Sequence, residues 1–459
     1  MTRHRTLRPT APGPRSLLAS VLALALLLPA VASPLAAQED RFPGVELRMV
    51  YEAYTPSLAV QPFMGRFGGA PVAPLVEAIV ARDLRYSDRF KMADSIPRTL
   101  GGESVDYNLW DRLGTTWLLT GRVEGAGGGN VLILELHDVP FAQVKERGTF
   151  DLPSPDDPDF RMAVHRASDQ VVEWALGDPG MAASRIVFAM RREDSSDKEL
   201  WIVDSDGENL ERVTSHDALV MSPAWSPDGG RIIYATSARR PWELFELDVT
   251  TRRSTPLEID RTGILMTPAF DPDGEHIAFS VRGGSRSGIY TYDLARQCCL
   301  TNLTEGPRVD TSPTYSPDGR WIAFNSNRLG EAVPQIYLMP SGGGEAELIS
   351  PYAYGAQGYY TSPDWSPRGD HVAFHGKLGR TGRFQILVAP VEDRGGRVLQ
   401  LTYEGNNEDP SWAPDGRHLV FKGERNWGKG LFVVDTATGT IRVLLRGVEV
   451  TTPQWSPAL

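Results

Sequence analysis

The sequence predicts an all-β six-bladed β-propeller with a smaller N-terminal α/β domain, and three observations carry that expectation. The nine residues Met221 to Gly229, Met-Ser-Pro-Ala-Trp-Ser-Pro-Asp-Gly, return as close copies at Met266 to Gly274, Thr311 to Gly319, Thr361 to Gly369, Glu408 to Gly416 and Thr451 to Pro457. The aromatic residues of the copies, Trp225, Phe270, Tyr315, Trp365, Trp412 and Trp455, are separated by 45, 45, 50, 47 and 43 residues, the length of a blade of about four strands. The last copy holds a first strand and nothing after it, whereas Arg185-Ile-Val-Phe, Glu199-Leu-Trp-Ile-Val and Glu211-Arg-Val-Thr hold later strands and nothing before them. The two ends complete one blade. Five whole repeats and this composite give six blades over residues 181–459, closed by the C-terminal strand, and closure removes sheet edges that would otherwise pair with other chains.

Within a repeat, Pro, the aromatic and the second Pro share one parity of an extended strand. Ala224, Ala269 and Thr314 take the other, so one face is bulky and one small, as a sheet held between two neighbouring sheets requires. Ser-Pro-Asp-Gly is a type I turn, with Pro at the second position and Gly at the fourth. Second strands follow at Arg231-Ile-Ile-Tyr, His276-Ile-Ala-Phe, Trp321-Ile-Ala-Phe, His371-Val-Ala-Phe and His418-Leu-Val-Phe, third strands at Glu243, Gly288, Gln335, Gln385 and Gly430, and each unit ends in a short outer strand.

The region before the repeats divides in two. Met1 to Ala37 reads as a secretory signal, with Arg3, Arg5, Arg8 and Arg15 ahead of the apolar run Leu17 to Leu28 and small residues Leu35-Ala36-Ala37 before Gln38. The run is shorter than a membrane span of about 20 residues. Residues 38–180 lack the repeat and read as an α/β domain. Val45 to Tyr54 and Ser57 to Phe63 are expected strands, and Pro71 to Tyr86 carries Leu75, Val76, Ile79, Val80 and Leu84 on one helical stripe. Phe90 to Ala93 is a short strand and Asn108 to Leu113 a short helix. Trp117 to Val123 and Val131 to His137 are strands around the turn Gly125 to Asn130, and a helix from Asp157 to Leu176 leads into the propeller. A phosphate-binding glycine loop opens a helix; here a strand follows, so the glycines read as a hairpin.

Apolar content of 41% suits a globular chain. Loss of the four signal arginines would take the formal charge from −11 to −15, which argues against a nucleic-acid partner. The two cysteines are adjacent, Cys298-Cys299. Strand neighbours point to opposite faces, which favours two unrelated thiols, and an oxidising compartment also permits a vicinal disulfide.

No Gly-x-Ser-x-Gly, His-Glu-x-x-His or zinc-type Cys/His spacing occurs in the sequence. His371 and His375 sit four apart on an expected strand, about 13 Å, too far to share an ion. His276, His371 and His418 recur at one repeat position, which points to blade packing. The Asp of each SPDG turn is a turn former before it is a calcium ligand. No catalytic residue, metal or cofactor is expected.

Together Met221-Ser-Pro-Ala-Trp-Ser-Pro-Asp-Gly229, Ala167-Ser-Asp-Gln-Val-Val-Glu leading to Arg185-Ile-Val-Phe, Ser57-Leu-Ala-Val-Gln-Pro-Phe63, Ile79-Val-Ala-Arg-Asp-Leu84 and Pro453-Gln-Trp-Ser-Pro-Ala-Leu459 resemble the periplasmic TolB proteins of the Tol-Pal system. The resemblance implies a non-catalytic scaffold of the cell envelope, with the peptidoglycan-associated lipoprotein Pal held at one mouth of the propeller and the inner-membrane protein TolA engaged by the extreme N-terminus. Gln38 to Gly44 is longer than the family's TolA-binding tail, and Arg368 replaces the turn Asp.

Loops entering the innermost strands are expected at one rim of the channel. Ile264, Leu265, Met266, Asp310, Thr311, Asn406, Asn407, Glu408, Asp409, Val450 and Thr451 are therefore candidate partner-binding residues, joined by Tyr352, Tyr354, Tyr359 and Tyr360 from the long loop Pro351 to Ser362. Tyrosine-rich loops give large, rigid contact area; packing on neighbouring blades is the other reading. The expected form is a periplasmic monomer. The rival classes are an exported propeller enzyme, a lyase or a peptidase relative, and a glycan- or peptide-binding propeller.

Overall fold

The computed structural model describes residues 55–459 and the strand Val45–Glu46, apart from 95, 101, 103, 192–196, 240–241, 331–332, 353–357, 378–381 and 396. The secretory signal therefore lies outside the described residues, as do 47–54 of the strand expected at Val45 to Tyr54.

The N-terminal unit is a mixed sheet ordered Lys91–Met92, Ser57–Val60, Trp117–Ala126, Gly129–Asp138, Gln143–Leu152, with Met64–Arg66 also paired to Trp117–Ala126. Helix α1, Ala73–Tyr86, and helix α3, Phe160–Leu176, lay Val76, Ile79, Val80, Val164, Ala167 and Val171 on one sheet face against Leu119, Leu132 and Leu134. Leu75, expected on that stripe, stays 43% exposed, because it stands one residue off the buried row. Helix α2, Tyr107–Arg112, begins at Asp106, whose carboxylate accepts from the Leu109 N–H, and its Trp110 packs on the opposite sheet face with Ala59, Leu118 and Val139. Gly127 and Gly128 both hold positive φ between the two long strands, as a two-residue hairpin turn demands. The strand Gln143–Leu152 is not foreseen from the sequence. It lies at the sheet edge and is largely exposed, so its charged residues carry no apolar alternation to read.

Six four-stranded antiparallel blades follow. Blade 1 is the composite: Val450–Trp455 lies innermost and pairs with Arg185–Arg191 in the register Val450↔Met190 and Trp455↔Ile186. Blades 2 to 6 start at Val220–Trp225, Ile264–Phe270, Asp310–Tyr315, Tyr359–Trp365 and Asn406–Trp412. One aromatic from each second strand, Phe188, Tyr234, Phe279, Phe324, Phe374 and Phe421, is fully buried, which makes the bulky layer between blades. In the SPDG turns the Gly amide donates to the carbonyl three residues earlier, as at Gly229 to Ser226 and Gly319 to Ser316, with the Gly at positive φ. Arg368 has its own use: its guanidinium donates to the Asp415 carbonyl in the next blade's turn, at 2.9 and 3.2 Å.

Two expectations are corrected. Val45–Glu46 does not join the N-terminal sheet but pairs in parallel with Val398–Leu399 on the outer edge of blade 5. Cys298 and Cys299 are not separate thiols but are joined in a disulfide on the outer strand of blade 3. The alternation argument fails because Cys299 has φ 65° and the strand pairing slips between Thr291 and Asp293. That bulge turns both sulfurs to one side.

Trp455 joins three elements: its indole N–H donates to Ser184 Oγ at 2.7 Å and its amide to Ser411 Oγ at 3.1 Å, and the ring packs in the core shared by Phe188, Val420 and Val433. Trp455→Ala is expected to lower unfolding stability by about 3–5 kcal/mol, measured by denaturant titration. A loss below about 1 kcal/mol would mean that closure does not hold the ring.

Candidate functional site

Each inner strand runs along the channel from one mouth, where Asn406 and Val450 stand, to the SPDG turns at the other. The N-terminal unit sits at the SPDG mouth, over blades 6 and 1. Asp88, in the turn after α1, faces His418 Nε2 at 3.3 Å and Arg442 Nη1 at 3.3 Å, and its carbonyl accepts from Arg417. Arg82 pairs with Glu208, Arg161 with Asp206, and Arg166 donates to the Leu459 carbonyl. Burial works against a charged imidazole at His418, yet the carboxylates of Asp415 and Asp88 raise its pKa. The mouth where the inner strands begin is the candidate site.

Six equivalent residues line the channel below that mouth: Ser222, Thr267, Ser312, Ser362, Asp409 and Thr452. Each precedes a proline and each holds φ between 47° and 55°, a conformation uncommon for β-branched residues. All six inner strands carry a register slip at this point. The reversal turns short oxygen-bearing side chains across to the next blade. Thr452 Oγ1 accepts from the Ser222 amide at 2.9 Å, Thr267 Oγ1 from the Ser312 amide at 3.2 Å, and Asp409 Oδ2 from the Thr452 amide at 3.2 Å, while Ser362 Oγ donates to Asp409 Oδ1. Two residues on, Gln454, Asp364 and Ser411 accept from the amides of Trp225, Trp412 and Trp455. The ring encloses about 110 Å³. Of these six positions sequence reasoning singles out only Asp409, although the signal stands in every copy: Ser, Thr or Asp precedes the strand proline.

The structure splits the candidate residues by strand parity. Leu265, Asp310, Tyr360, Asn407 and Val450 are buried between blades and so belong to packing. Tyr360 stands edge-on to Phe374, and Asn407 donates to Gln385 Oε1 at 2.9 Å. Ile264, Met266, Thr311, Tyr359, Asn406, Glu408 and Thr451 are half-buried at the rim, and Tyr352 is exposed. Tyr354 lies outside the described residues. Alternate residues only are therefore accessible at the rim.

Between blades 6 and 1 a rim cavity of about 180 Å³ is lined by Asn406, Glu408, Lys422, Lys429, Glu449 and Thr451. Lys422 Nζ lies 3.2 Å from Glu408 and 3.1 Å from Asp409, and Lys429 pairs with Glu449 at 3.0 Å. Desolvation opposes the Asp409 charge, but Lys422 and His375 hold its carboxyl below the usual carboxylate range. Burial pushes His375 down; its Nδ1 accepts from the Asp409 amide at 3.0 Å. Aromatic faces carry cations around the same mouth: Arg261 over Tyr290, Arg328 over Tyr337, Lys377 over Tyr359 and Arg425 over Phe432. Such a rim presents fixed, partly desolvated polar and aromatic groups.

Comparison with known proteins decides the family. The TolB amino-terminal domain matches residues 52–143, and the TolB beta propeller domain matches residues 172–459. The chain belongs to the TolB family. Its similarity to the Tol-Pal system protein TolB of Albidiferax ferrireducens is 30% identity over 196 residues, 42% of this chain and 44% of that protein. With the TolB of Cereibacter sphaeroides it is 33% over 243 residues, 51% of this chain and 53% of that protein. The aligned stretches thus span about half the length of these TolB relatives. A crystal structure of TolB from Acinetobacter baumannii superposes with a TM-score of 0.76 at 24% identity, over 88% of this chain and 97% of that one, so the TolB fold is shared along both units.

Asp364 makes the channel wall sensitive to pH. Desolvation raises its pKa to about 6 from 3.8, against the hydrogen bonds from Trp412 and Ser411. The folded protein therefore holds an extra proton between those values, so stability falls as pH rises from about 4 to beyond 6. Asp364→Asn should flatten that slope, worth at most about 3 kcal/mol, in unfolding titrations at about pH 4 and about pH 7.5. An unchanged slope would remove Asp364 as its source.

Proposed function

We propose that this TolB-family chain is a non-catalytic adaptor of a Tol-Pal system, located in the periplasm, that docks a Pal-like lipoprotein on the propeller mouth where the inner strands begin. The observation that carries this reading is the division of the two mouths. The SPDG mouth is engaged by the N-terminal unit through Asp88, while the opposite rim presents half-buried Tyr359, Asn406, Glu408 and Thr451 and exposed Tyr352. The names of the relatives, Tol-Pal system protein TolB, support the system to which it is assigned. In this reading Met1 to Ala37 is removed on export, and the segment from Gln38 reaches a TolA-like inner-membrane protein. Coupling of the two partners would then support outer-membrane integrity and cell division.

A catalytic role is not part of the proposal. The ionisable groups at the open rim are engaged with one another: Lys422 with Glu408 and Asp409, Lys429 with Glu449, and His375 with the Asp409 amide. A rim of this kind suits complementarity to a folded partner, where a few buried aromatic and charged anchors dominate affinity.

The test is calorimetric titration of the soluble domain of the cognate Pal-like lipoprotein into the mature chain. Tyr352→Ala with Tyr359→Ala is expected to weaken binding by at least about 1 kcal/mol with the melting temperature held. Tyr360→Ala, by contrast, is expected to destabilise the fold by about 3 kcal/mol or more, because its ring is interior. Unchanged affinity in the double variant would take the tyrosine loop out of the interface, and no binding by the intact chain would overturn the adaptor reading.

A further inference from the structure

One corner of blade 3, remote from the rim, gathers ligands of a kind that neither packing nor the adaptor role explains. His276, Asp293 and Cys298 are directly paired on three adjacent strands, so their side chains share one sheet face. The bulge at Cys299 brings the second sulfur to the same side. A carboxylate oxygen of Asp293 and the sulfurs of Cys298 and Cys299 all lie within 4.8 Å of one another. Beside them stands a second such group, Asp271, Asp273 and His276, with His276 Nε2 at 3.7 Å from Asp293 and Nδ1 at 3.2 Å from Asp271. These are the chain's only two cysteines. Cys299 is exposed and Cys298 half-buried, while the Asp293 side chain is 6% exposed.

From this corner we propose that Cys298–Cys299 is a reducible pair whose dithiol form, with Asp293, binds one thiophilic divalent cation of the zinc and cadmium class. The steps balance. A thiolate of an external dithiol attacks the exposed Cys299 sulfur, the Cys298 sulfur leaves as thiolate and takes a proton, and the donor's second thiol closes its own disulfide and frees Cys299. The protein disulfide gains two electrons and two protons, and the donor loses them. The cation then displaces both thiol protons and meets two thiolates and a carboxylate, a donor set that such ions accept in tetrahedral geometry with one position left over. His276 is within reach of Asp293 rather than of the sulfurs, so the minimal set is two sulfurs and one oxygen.

One group opposes the cation. Arg296 donates its amide to Asp293 Oδ1 at 2.8 Å and holds its guanidinium 3.4 Å from Oδ2. That side chain is 79% exposed and free to swing into solvent. The carboxylates of Asp271 and Asp273 add negative charge on the other flank.

The test uses the mature full chain, with and without prior treatment by dithiothreitol and anaerobic desalting. Thiols are counted without denaturant, and Cd²⁺ alone is then titrated while the thiolate-to-metal charge-transfer absorbance is followed. Two new thiols and one Cd²⁺ per chain are expected in the reduced form, with no band in the oxidised form. Asp293→Asn should weaken Cd²⁺ by at least about tenfold, and Cys298→Ser with Cys299→Ser should abolish the band. If the double variant does not fold, alkylation of the reduced native pair serves instead. A pair that resists the dithiol, a reduced chain without the band, or a band that persists after alkylation would each overturn the proposal. Equal affinity in Asp293→Asn would overturn the carboxylate ligand. None of these results touches the adaptor reading, which is decided at the other mouth.

Discussion

The architecture depends on one local constraint, the residue held at positive φ before the proline of each inner strand. An antiparallel ring of blades must join sheets that share no ladder hydrogen bonds, so side chains carry links between blades beside single backbone bonds such as those from the Leu265 amide to the Trp242 carbonyl and from the Asn407 amide to the Phe384 carbonyl. In a regular strand Ser222, Thr267, Ser312, Ser362, Asp409 and Thr452 would follow the simple alternation of side chains between the two sheet faces. A register slip interrupts the pairing at each of them, and Thr452, Thr267 and Asp409 there accept from a backbone amide of the next blade, as Thr452 does from Ser222. Strain of this kind persists only where surrounding structure over-determines it, and here the proline and the paired second strand do so. The same device sits in the composite blade, so one geometry serves both ordinary contacts and closure of the ring.

From that ring follows a difference between the two mouths. The end that bears the SPDG turns also gathers Arg442, Glu208 and Asp206, and the N-terminal unit answers these with Asp88, Arg82 and Arg161. Burying such groups is costly unless they are paired, which ties the orientation of the N-terminal unit to a particular set of partners on blades 6 and 1. At the other end the polar groups pair among themselves within the rim, and the aromatic faces carry cations. A surface preorganised in this way loses little entropy when it meets another protein.

The blade 3 corner shows how a single bulge changes chemistry. With extended geometry Cys298 and Cys299 would face opposite sides of the outer strand. With Cys299 at φ 65° both sulfurs of the disulfide lie near the Asp293 carboxylate, the placement on which the proposed chelation by the reduced pair rests. The neighbouring turn departs from SPDG to Asp-Pro-Asp-Gly at Asp271 to Gly274, which adds a second carboxylate where most blades have a hydroxyl.

The sequence by itself determined the repeat, the number of blades, the helical stripes of α1 and α3 and the composite closure, because each rests on spacing and alternation that recur along the chain. It also held the Ser, Thr or Asp before every strand proline. Only the tertiary structure decided which rim residues face outward: Tyr359 and Tyr360 are neighbours in the same loop, yet the second is sealed against Phe374, since parity is set by the register of the strand it enters. The edge strand Gln143–Leu152 escaped sequence reading because it is largely exposed and carries no apolar alternation, and the seating of Val45–Glu46 on blade 5 because its partner lies far along the chain. Between two separate thiols and a vicinal disulfide, both open from the sequence, the reversal of the backbone at Cys299 decided.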